Sequence, residues 1–102
     1  MVVSVASAHE LVLQGRLDVH SVPDVRVAVH AALDNGEGDL FLDVSGVELI
    51  DATGLGMLVG AHRKARMSGR RVVLRSVGPP LMRVLRLTRL HRVLVVESPL
   101  PV

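Results

Sequence analysis

The chain has 102 residues, a length that supports one domain with a single core. Hydrophobic residues make up 49% of it and charged residues 22%, which is typical of a globular protein and excludes a disordered one. It has no cysteine, which excludes disulfides, thiol catalysis and zinc–thiolate sites. No apolar run approaches the roughly 18 residues that a membrane span needs. The N-terminus lacks the basic segment of a signal peptide, so we expect a cytoplasmic domain.

Two short β-rich runs begin the sequence and predict a hairpin or two neighbouring strands: "VVSVAS" (residues 2–7) and "ELVLQG" (10–15). A helix is predicted over 21–33, with Ser21 as its cap and Pro23 in its first turn. Its apolar residues recur at helical spacing, which predicts that they face the core: Val22, Val25, Val29 and Leu33.

Turn residues at 34–38 end this helix, and "LFLDV" (40–44) is an apolar run typical of a buried central strand. The next stretch, "VELIDATGLGMLVG" (47–60), leads into a helix that we expect to continue to about Met67, with Gly69 at its C-terminal cap. Its three glycines are unusual, because glycine weakens a helix by about 0.5–1 kcal/mol relative to alanine.

The remaining elements are a strand at 72–77, a helix at 78–90, a strand at 93–96 and a tail at 97–102 that contains two prolines. The apolar stripe of this last helix is predicted to contain Leu81, Val84, Leu85 and either Leu87 or Thr88. The predicted order is ββαβαβαβ, which indicates an α/β domain with a largely parallel or mixed sheet and crossover helices.

The charges are unevenly distributed, although the net charge is only +2. Residues 1–52 contain nine of the ten acidic and two of the twelve basic residues, whereas residues 53–102 contain ten basic residues and one acidic residue. Two interpretations remain open: the basic residues bind an acidic partner or nucleic acid, or they are solvated helix faces that pair with the acidic half. The same alternatives apply to a stripe at a spacing of three, formed by Arg83, Arg86, Arg89 and Arg92.

Thr53 is expected near the start of its helix, where unpaired N–H groups and the helix dipole favour an anion. A phosphate would be tolerated there. On a helical wheel, one face of this helix is formed by Thr53, Gly56 or Met57, Gly60 and Lys64. This face has few large side chains, which would let another protein approach the helix closely. Leu55, Leu58, Val59 and His62 are expected to pack on the sheet. Two alternatives stay open, namely that Thr53 is only an N-cap and that Gly54 and Gly56 only allow tight packing of helix on strand.

The run "DVSGVELIDATGLGMLVGAHRKARMSGRRVVL" from Asp43, followed by "PPLMRVLRLTRLHRVL", closely resembles the STAS domain of bacterial anti-sigma-factor antagonists. The upstream "LQGRLDVHSVPDVRVAV" is similar to a strand and the first helix of that family. The resemblance covers roughly residues 10–96. It implies a single α/β domain over 1–102, with a mixed central sheet of about four to five strands and helices packed in βα alternation. Residues 1–8 are then an N-terminal strand region.

The resemblance implies a non-enzymatic switch in which a kinase-type anti-sigma factor is the partner and phosphorylates Thr53. A protein phosphatase resets the switch, and the sigma factor is released while the anti-sigma factor is bound. ATP and Mg²⁺ belong to the kinase, so the chain itself needs no cofactor. The family usually reads Asp-Ser-Ser-Gly where this chain reads Asp51-Ala52-Thr53-Gly54. The residues expected to contact the partner are Asp18, Asp51, Ala52, Gly54, Gly56, Met57, Gly60 and Lys64.

A second hypothesis is a STAS scaffold that binds constitutively, as an oligomer or in a larger assembly, without phosphorylation. A separate alternative for Asp18 and Asp51 is that these acids only stabilise helix starts. The family's final helix has no counterpart in the tail at 97–102. Two alternatives stay open: an exposed apolar patch favours a homodimer, or the remaining helices repack to cover it. The sequence contains no metal-binding histidine pair, no P-loop and no nucleophile elbow. We therefore expect that the chain is not an enzyme and has no metal site.

Overall fold

A computed structural model describes residues 1–97. Its strands are β1 (Val2–Ser7), β2 (Glu10–Leu17), β3 (Asp39–Ile50), β4 (Arg71–Arg75) and β5 (Val95–Val96). They form one sheet in the order β1-β2-β3-β4-β5, so neighbours in the sheet are also neighbours along the chain. The β1–β2 pair is antiparallel and the other three pairs are parallel, which confirms the predicted mixed sheet.

Crossover helices join the parallel strands, as parallel pairing requires. They are α1 (Val22–Asp34), α2 (Ala52–Met67), and α3 (Pro79–Leu87) with a short 3₁₀ helix (Leu90–Arg92) behind it. The predicted βα alternation is therefore confirmed. Most of the predicted tail, residues 98–102, lies outside the described residues.

The helix α1 buries the four positions that its apolar spacing predicts: Val22, Val25, Val29 and Leu33 are the buried residues of this helix. Ser21 occupies the predicted N-cap position, but its side chain makes no capping hydrogen bond to the helix. Its hydroxyl donates instead to the carbonyl oxygen of Arg16, 2.8 Å away, and accepts the N–H of Asp18 at 3.0 Å. Ser21 thus closes the loop between β2 and α1.

The strand β3 is longer than the predicted 40–44, because β2 continues to pair with it beyond that apolar run. Leu17, the last residue of β2, lies opposite Ile50, the last residue of β3. The two parallel strands therefore end side by side. This brings the loop that begins at Asp18 next to the start of α2.

The helix α3 is shorter than the predicted 78–90, because Arg89 adopts a left-handed conformation with φ of 61° that a right-handed helix cannot continue. Leu81 and Leu85 are buried as predicted. Leu87 is 77% exposed and Thr88 is exposed as well, so the predicted place of either residue on the apolar stripe is wrong. The last strand is also short and consists of Val95–Val96.

The core is aliphatic and lies between the sheet and the helices. Alternate residues of β2 point into it, and Leu11, Leu13 and Leu17 are each at most 2% exposed. Fully burying one such leucine contributes about 1.5–3 kcal/mol. The central strand adds three more buried side chains, namely Leu40, Leu42 and Val44.

Arg70 is a buried cation for which the local sequence pattern carries no signal. It follows α2 and Gly69, whose φ of 69° suits the predicted helix end. Its guanidinium donates hydrogen bonds of 2.6–3.3 Å to carbonyl oxygens that end α1 and lie in the next loop: those of Ala32, Leu33, Glu37 and Gly38. One side chain therefore satisfies the C-terminal carbonyls of one helix from the end of another.

Three ion pairs join the basic half of the chain to the acidic half, which supports the interpretation that folding pairs the two. They are Lys64–Asp34 at 3.2 Å, Arg71–Asp39 at 2.6 Å and Arg75–Glu10 at 3.0 Å. Arg75 also bonds Glu97 and lies 3.9 Å from the ring centroid of Phe41. The arginine stripe of α3 and the turn behind it is exposed and makes no such pair with any residue between 1 and 97.

Candidate functional site

The candidate site lies at the N-terminus of α2, beside the ends of β2 and β3. Asp51 is the N-cap, and its Oδ1 accepts the N–H of Gly54 at 2.8 Å. Its Oδ2 accepts the N–H of Val19 at 3.1 Å, from the loop that follows β2. One carboxylate therefore caps the helix and fastens the Asp18 loop to it. This second bond has no signal in the sequence, because its partners are 32 residues apart.

The loop that Asp51 fastens carries a second carboxylate. The Asp18 side chain accepts the N–H groups of His20 at 3.0 Å and Ser21 at 3.2 Å. Desolvation would raise the pKa of Asp18, but these hydrogen bonds and the charges of His20 and Arg16 outweigh it, so the pKa is lowered. Asp18 is therefore ionised at neutral pH, and the site carries negative charge.

Thr53 is the second residue of α2 and is exposed. Asp51 occupies the N-cap position, so the alternative in which Thr53 is only an N-cap is wrong. Within residues 1–97 the Thr53 hydroxyl makes no hydrogen bond, and it is accessible to another molecule. The N–H groups of Ala52 and Thr53 lie in the first turn, where a helix supplies no carbonyl partner.

The three glycines of α2 have different surroundings. A Cβ added at Gly54 would lie 2.4 Å from the carbonyl oxygen of Leu17, so this buried glycine allows the helix to approach β2 closely. The expectation that Gly54 contacts a partner is therefore wrong, and the packing alternative holds for it. A Cβ at Gly56 or Gly60 would meet nothing within 4 Å, and both residues are exposed. The packing alternative, which concerned Gly54 and Gly56, is therefore wrong for Gly56.

Met57 does not lie on the open face, and its predicted contact with a partner is wrong. It is 3% exposed and belongs to the core, because the close approach at Gly54 turns this side of the helix toward the sheet. Leu58 and His62 are buried as expected. Lys64 is half-buried and pairs with Asp34 of α1 at 3.2 Å, which draws its charge away from the Thr53 end of the helix.

Ala52, Thr53, Gly56 and Gly60 are exposed, and together they form a surface that we call the glycine face. This face has almost no side chain of its own apart from the threonine hydroxyl. Within the described part of the chain, no three His, Asp or Glu side chains are grouped so that they could hold a metal ion. The arrangement suits a protein–protein contact at a helix backbone, with one exposed hydroxyl inside it.

The mixed sheet, its N-terminal hairpin and its βα crossovers define a small α/β domain. The sequence matches the model of a family described as "Mlab, STAS domain" over residues 1–97. The chain therefore belongs to the STAS domain family. None of the helices within residues 1–97 combines the length and the apolar character that crossing a membrane would require.

Relatives and solved structures extend this result. An anti-sigma-B factor antagonist of Staphylococcus aureus (strain NCTC 8325 / PS 47) is 25% identical over 90 residues, which are 88% of this chain and 83% of the relative. The crystal structure of an anti-sigma factor antagonist from Mycobacterium paratuberculosis is 26% identical with a TM-score of 0.76, and the alignment covers 97% of this chain and 85% of the other. The phosphorylated form of the Bacillus cell fate determinant SpoIIAA has a TM-score of 0.67 over 94% of this chain and 89% of its own. At 19% identity, it shows the shared fold.

Proposed function

We propose that this chain is an anti-sigma-factor antagonist that binds a kinase-type anti-sigma factor through the glycine face, and that phosphorylation of Thr53 ends this binding. The observation that carries the proposal is an exposed hydroxyl at the second position of α2, beside two glycines with open space above them. Two of the similar proteins above are antagonists of anti-sigma factors. SpoIIAA, which has the same fold, exists in a phosphorylated form.

The proposed partner supplies the chemistry, and this chain supplies the acceptor. The Thr53 hydroxyl oxygen attacks the γ-phosphorus of the kinase-bound ATP and forms the new O–P bond, while the bond to the leaving ADP breaks. A base of the kinase takes the hydroxyl proton. Since ATP and Mg²⁺ come from the kinase, this chain acts as a substrate and binding protein, and a separate phosphatase restores the free hydroxyl.

The start of α2 can hold the phosphate without unfolding. The positive end of the helix dipole and the unpaired N–H groups of Ala52 and Thr53 favour an anion there. Asp51 already occupies the N–H groups of Gly54 and Val19, so the phosphate finds only part of the helix terminus available. Its charge therefore stays largely on the surface.

This uncompensated charge is the proposed physical basis of the switch. The phosphate adds about −1.5 to −2 charge to a surface where the Asp51 carboxylate already binds the loop that begins at Asp18. A partner surface fitted to a neutral hydroxyl would have to bury that charge or repel it. A loss of about 2.7 kcal/mol is enough to lower the affinity a hundredfold. Binding of the unmodified chain would free the sigma factor in the cytoplasm, where transcription takes place.

Phosphorylation can be tested by incubating the chain with a candidate anti-sigma-factor kinase from the same organism and with ATP. We expect a mass increase of one phosphoryl group that Thr53→Ala abolishes. Thr88 offers a matched control, since it is the only other threonine and its hydroxyl bonds the carbonyl of Val84 at 2.8 Å. A phosphoryl group that persists in Thr53→Ala, or that disappears in Thr88→Ala, would contradict the assignment.

The switch can be tested by measuring affinity for the same kinase. We expect Thr53→Glu to weaken binding at least tenfold and Thr53→Ser to leave it unchanged, because only the first adds charge. Equal affinity of Thr53→Glu and the parent chain would support the constitutive STAS scaffold instead.

The binding surface has its own test on the same helix. Gly56→Arg places a long side chain on the glycine face and should weaken binding without unfolding the chain, since nothing lies within 4 Å of an added Cβ. Met67→Arg, at an 89% exposed position at the other end of α2, should bind like the parent. Equal binding by both variants would show that the partner contacts another surface.

A further inference from the structure

The strand β1 forms one edge of the sheet, and only β2 pairs with it among the described residues. The register is regular from Val2 opposite Gln14 to Val5 opposite Leu11, and the irregularity comes only at the end of the strand, between Val5 and Ser7. Every second residue of such an edge directs its N–H and C=O groups away from the sheet. A further strand can therefore pair with β1.

Within residues 1–97, this edge lacks the features that usually prevent such pairing. Edge strands are commonly protected by lysine, proline, bulges in mid-strand or a covering element. The six residues of β1, "VVSVAS", contain neither a charge nor a proline. Five of them are exposed, with Val2 at 58% and Val5 at 75%. Exposed valines on an uncharged edge favour association with another strand.

We propose that β1 of one copy pairs antiparallel with β1 of a second copy around a two-fold axis, which makes a continuous ten-stranded sheet. The second copy is the occupant that the observations favour, because an uncharged strand meets no like charge when it pairs with itself. A two-fold contact also closes after two copies. Head-to-tail growth through the opposite edge is disfavoured, because β5 there has only two residues.

The pairing has a geometric consequence for the glycine faces. Because β1 is antiparallel to β2, and the second β1 is antiparallel to the first, the two β2 strands run in opposite directions. Each glycine face lies at the C-terminal end of its own β2 and β3. The dimer therefore presents them at opposite ends of the sheet, and both remain free to bind a partner. Six residues form a small contact, so we expect association to depend on concentration.

The test is the molar mass of the intact chain in solution, measured by sedimentation or light scattering over a wide range of concentrations. We expect the mass to rise toward two chains. Val5→Lys should raise the dissociation constant at least tenfold, because two lysines are brought to the joined edge. Val27→Lys is the matched control, since Val27 is 71% exposed but lies on α1, and it should associate like the parent.

Amide hydrogen exchange of the parent chain is a second measurement of this association, and it does not depend on a variant. We expect amides of β1 to exchange more slowly as the concentration rises, while amides of α1 do not change. The proposal would be overturned by a mass of one chain at every concentration, by equal association of the two lysine variants, by masses that grow past two chains, or by protection that leaves β1 unaffected.

Discussion

Replacing Gly54 with alanine should destabilise the fold, whereas the same replacement at Gly56 should stabilise it. At Gly54 the new Cβ would lie 2.4 Å from the carbonyl oxygen of Leu17, 2.9 Å from Cγ1 of Ile50 and 3.0 Å from Cγ of Leu17. The first of these atoms belongs to the backbone and cannot rotate away. The same carbonyl accepts the N–H of Asp51 at 3.2 Å, so moving it also disturbs the residue that caps α2.

The magnitude follows from two opposing effects. Overpacking of a well-packed site costs about 1–3 kcal/mol, and alanine recovers at most about 1 kcal/mol of helix propensity over glycine. We therefore expect Gly54→Ala to lower the free energy of unfolding by about 1–2 kcal/mol. At Gly56 nothing lies within 4 Å of the added Cβ, so only the propensity gain remains. Gly56→Ala should raise the free energy of unfolding by up to about 1 kcal/mol.

Urea denaturation of the parent and both variants, followed by circular dichroism, measures these differences. Each kcal/mol should also move the melting temperature by about 4–8 °C in a chain of this length. The reasoning would be refuted if Gly54→Ala were as stable as the parent, or if both variants lost the same stability. The second outcome would mean that a general intolerance of alanine in α2, and not the Leu17 carbonyl, controls this helix.

Three further predictions concern stability. Arg70→Met should lower the free energy of unfolding by about 2–4 kcal/mol, because one buried and three part-buried carbonyl oxygens lose their donor. Arg66→Met, at an exposed position, should have a free energy of unfolding within about 0.5 kcal/mol of the parent. Equal losses by the two variants in urea denaturation would contradict this. Burial, and then the charges of Arg66 and Arg63, lower the pKa of His62, so the folded chain keeps it neutral and its stability should fall as the pH drops below the unfolded pKa. His62→Gln should make the free energy of unfolding depend less steeply on pH between neutrality and mild acid, and parallel curves would argue against this. Asp51→Ala should lower the free energy of unfolding by about 1–2 kcal/mol, because the N-cap hydrogen bond is lost. Asp51→Asn keeps one accepting oxygen and should lower it less. Equal melting temperatures of the two variants would show that the capping bonds are not the cause.

Much of the fold follows from local patterns, because they report which side chains must leave water. The spacing of valines and a leucine in α1 predicts its buried face residue by residue. The turn residues at 34–38 and Gly69 mark where helices end. The order of these elements then indicates crossovers and a mixed sheet. Strand lengths were less predictable, because β3 extends as far as its neighbour β2 pairs with it, and that neighbour is distant in sequence.

In the candidate site, too, local sequence predicts some features and tertiary packing determines the others. The sequence by itself determined that a hydroxyl, an acid and three glycines stand near the start of α2, since these are properties of adjacent residues. Only the tertiary structure decided which of them face outward. The position of the Leu17 carbonyl fixes how α2 rests on β2, and this directs Gly54 and Met57 inward and leaves Gly56 and Gly60 open.

The tertiary structure also decided the roles of the polar residues, because a local sequence pattern cannot predict hydrogen bonds between segments that are distant along the chain. Asp51, and not Thr53, caps α2, and its second oxygen holds the loop after β2. Thr53 is left exposed at the second position of the helix. Arg70 shows the same principle at the far end of α2, where its four partners lie 32–38 residues away along the chain. The sequence determined which chemical groups are present near the start of α2. The packing of α2 against the ends of two parallel strands determined which of these groups are exposed to another protein.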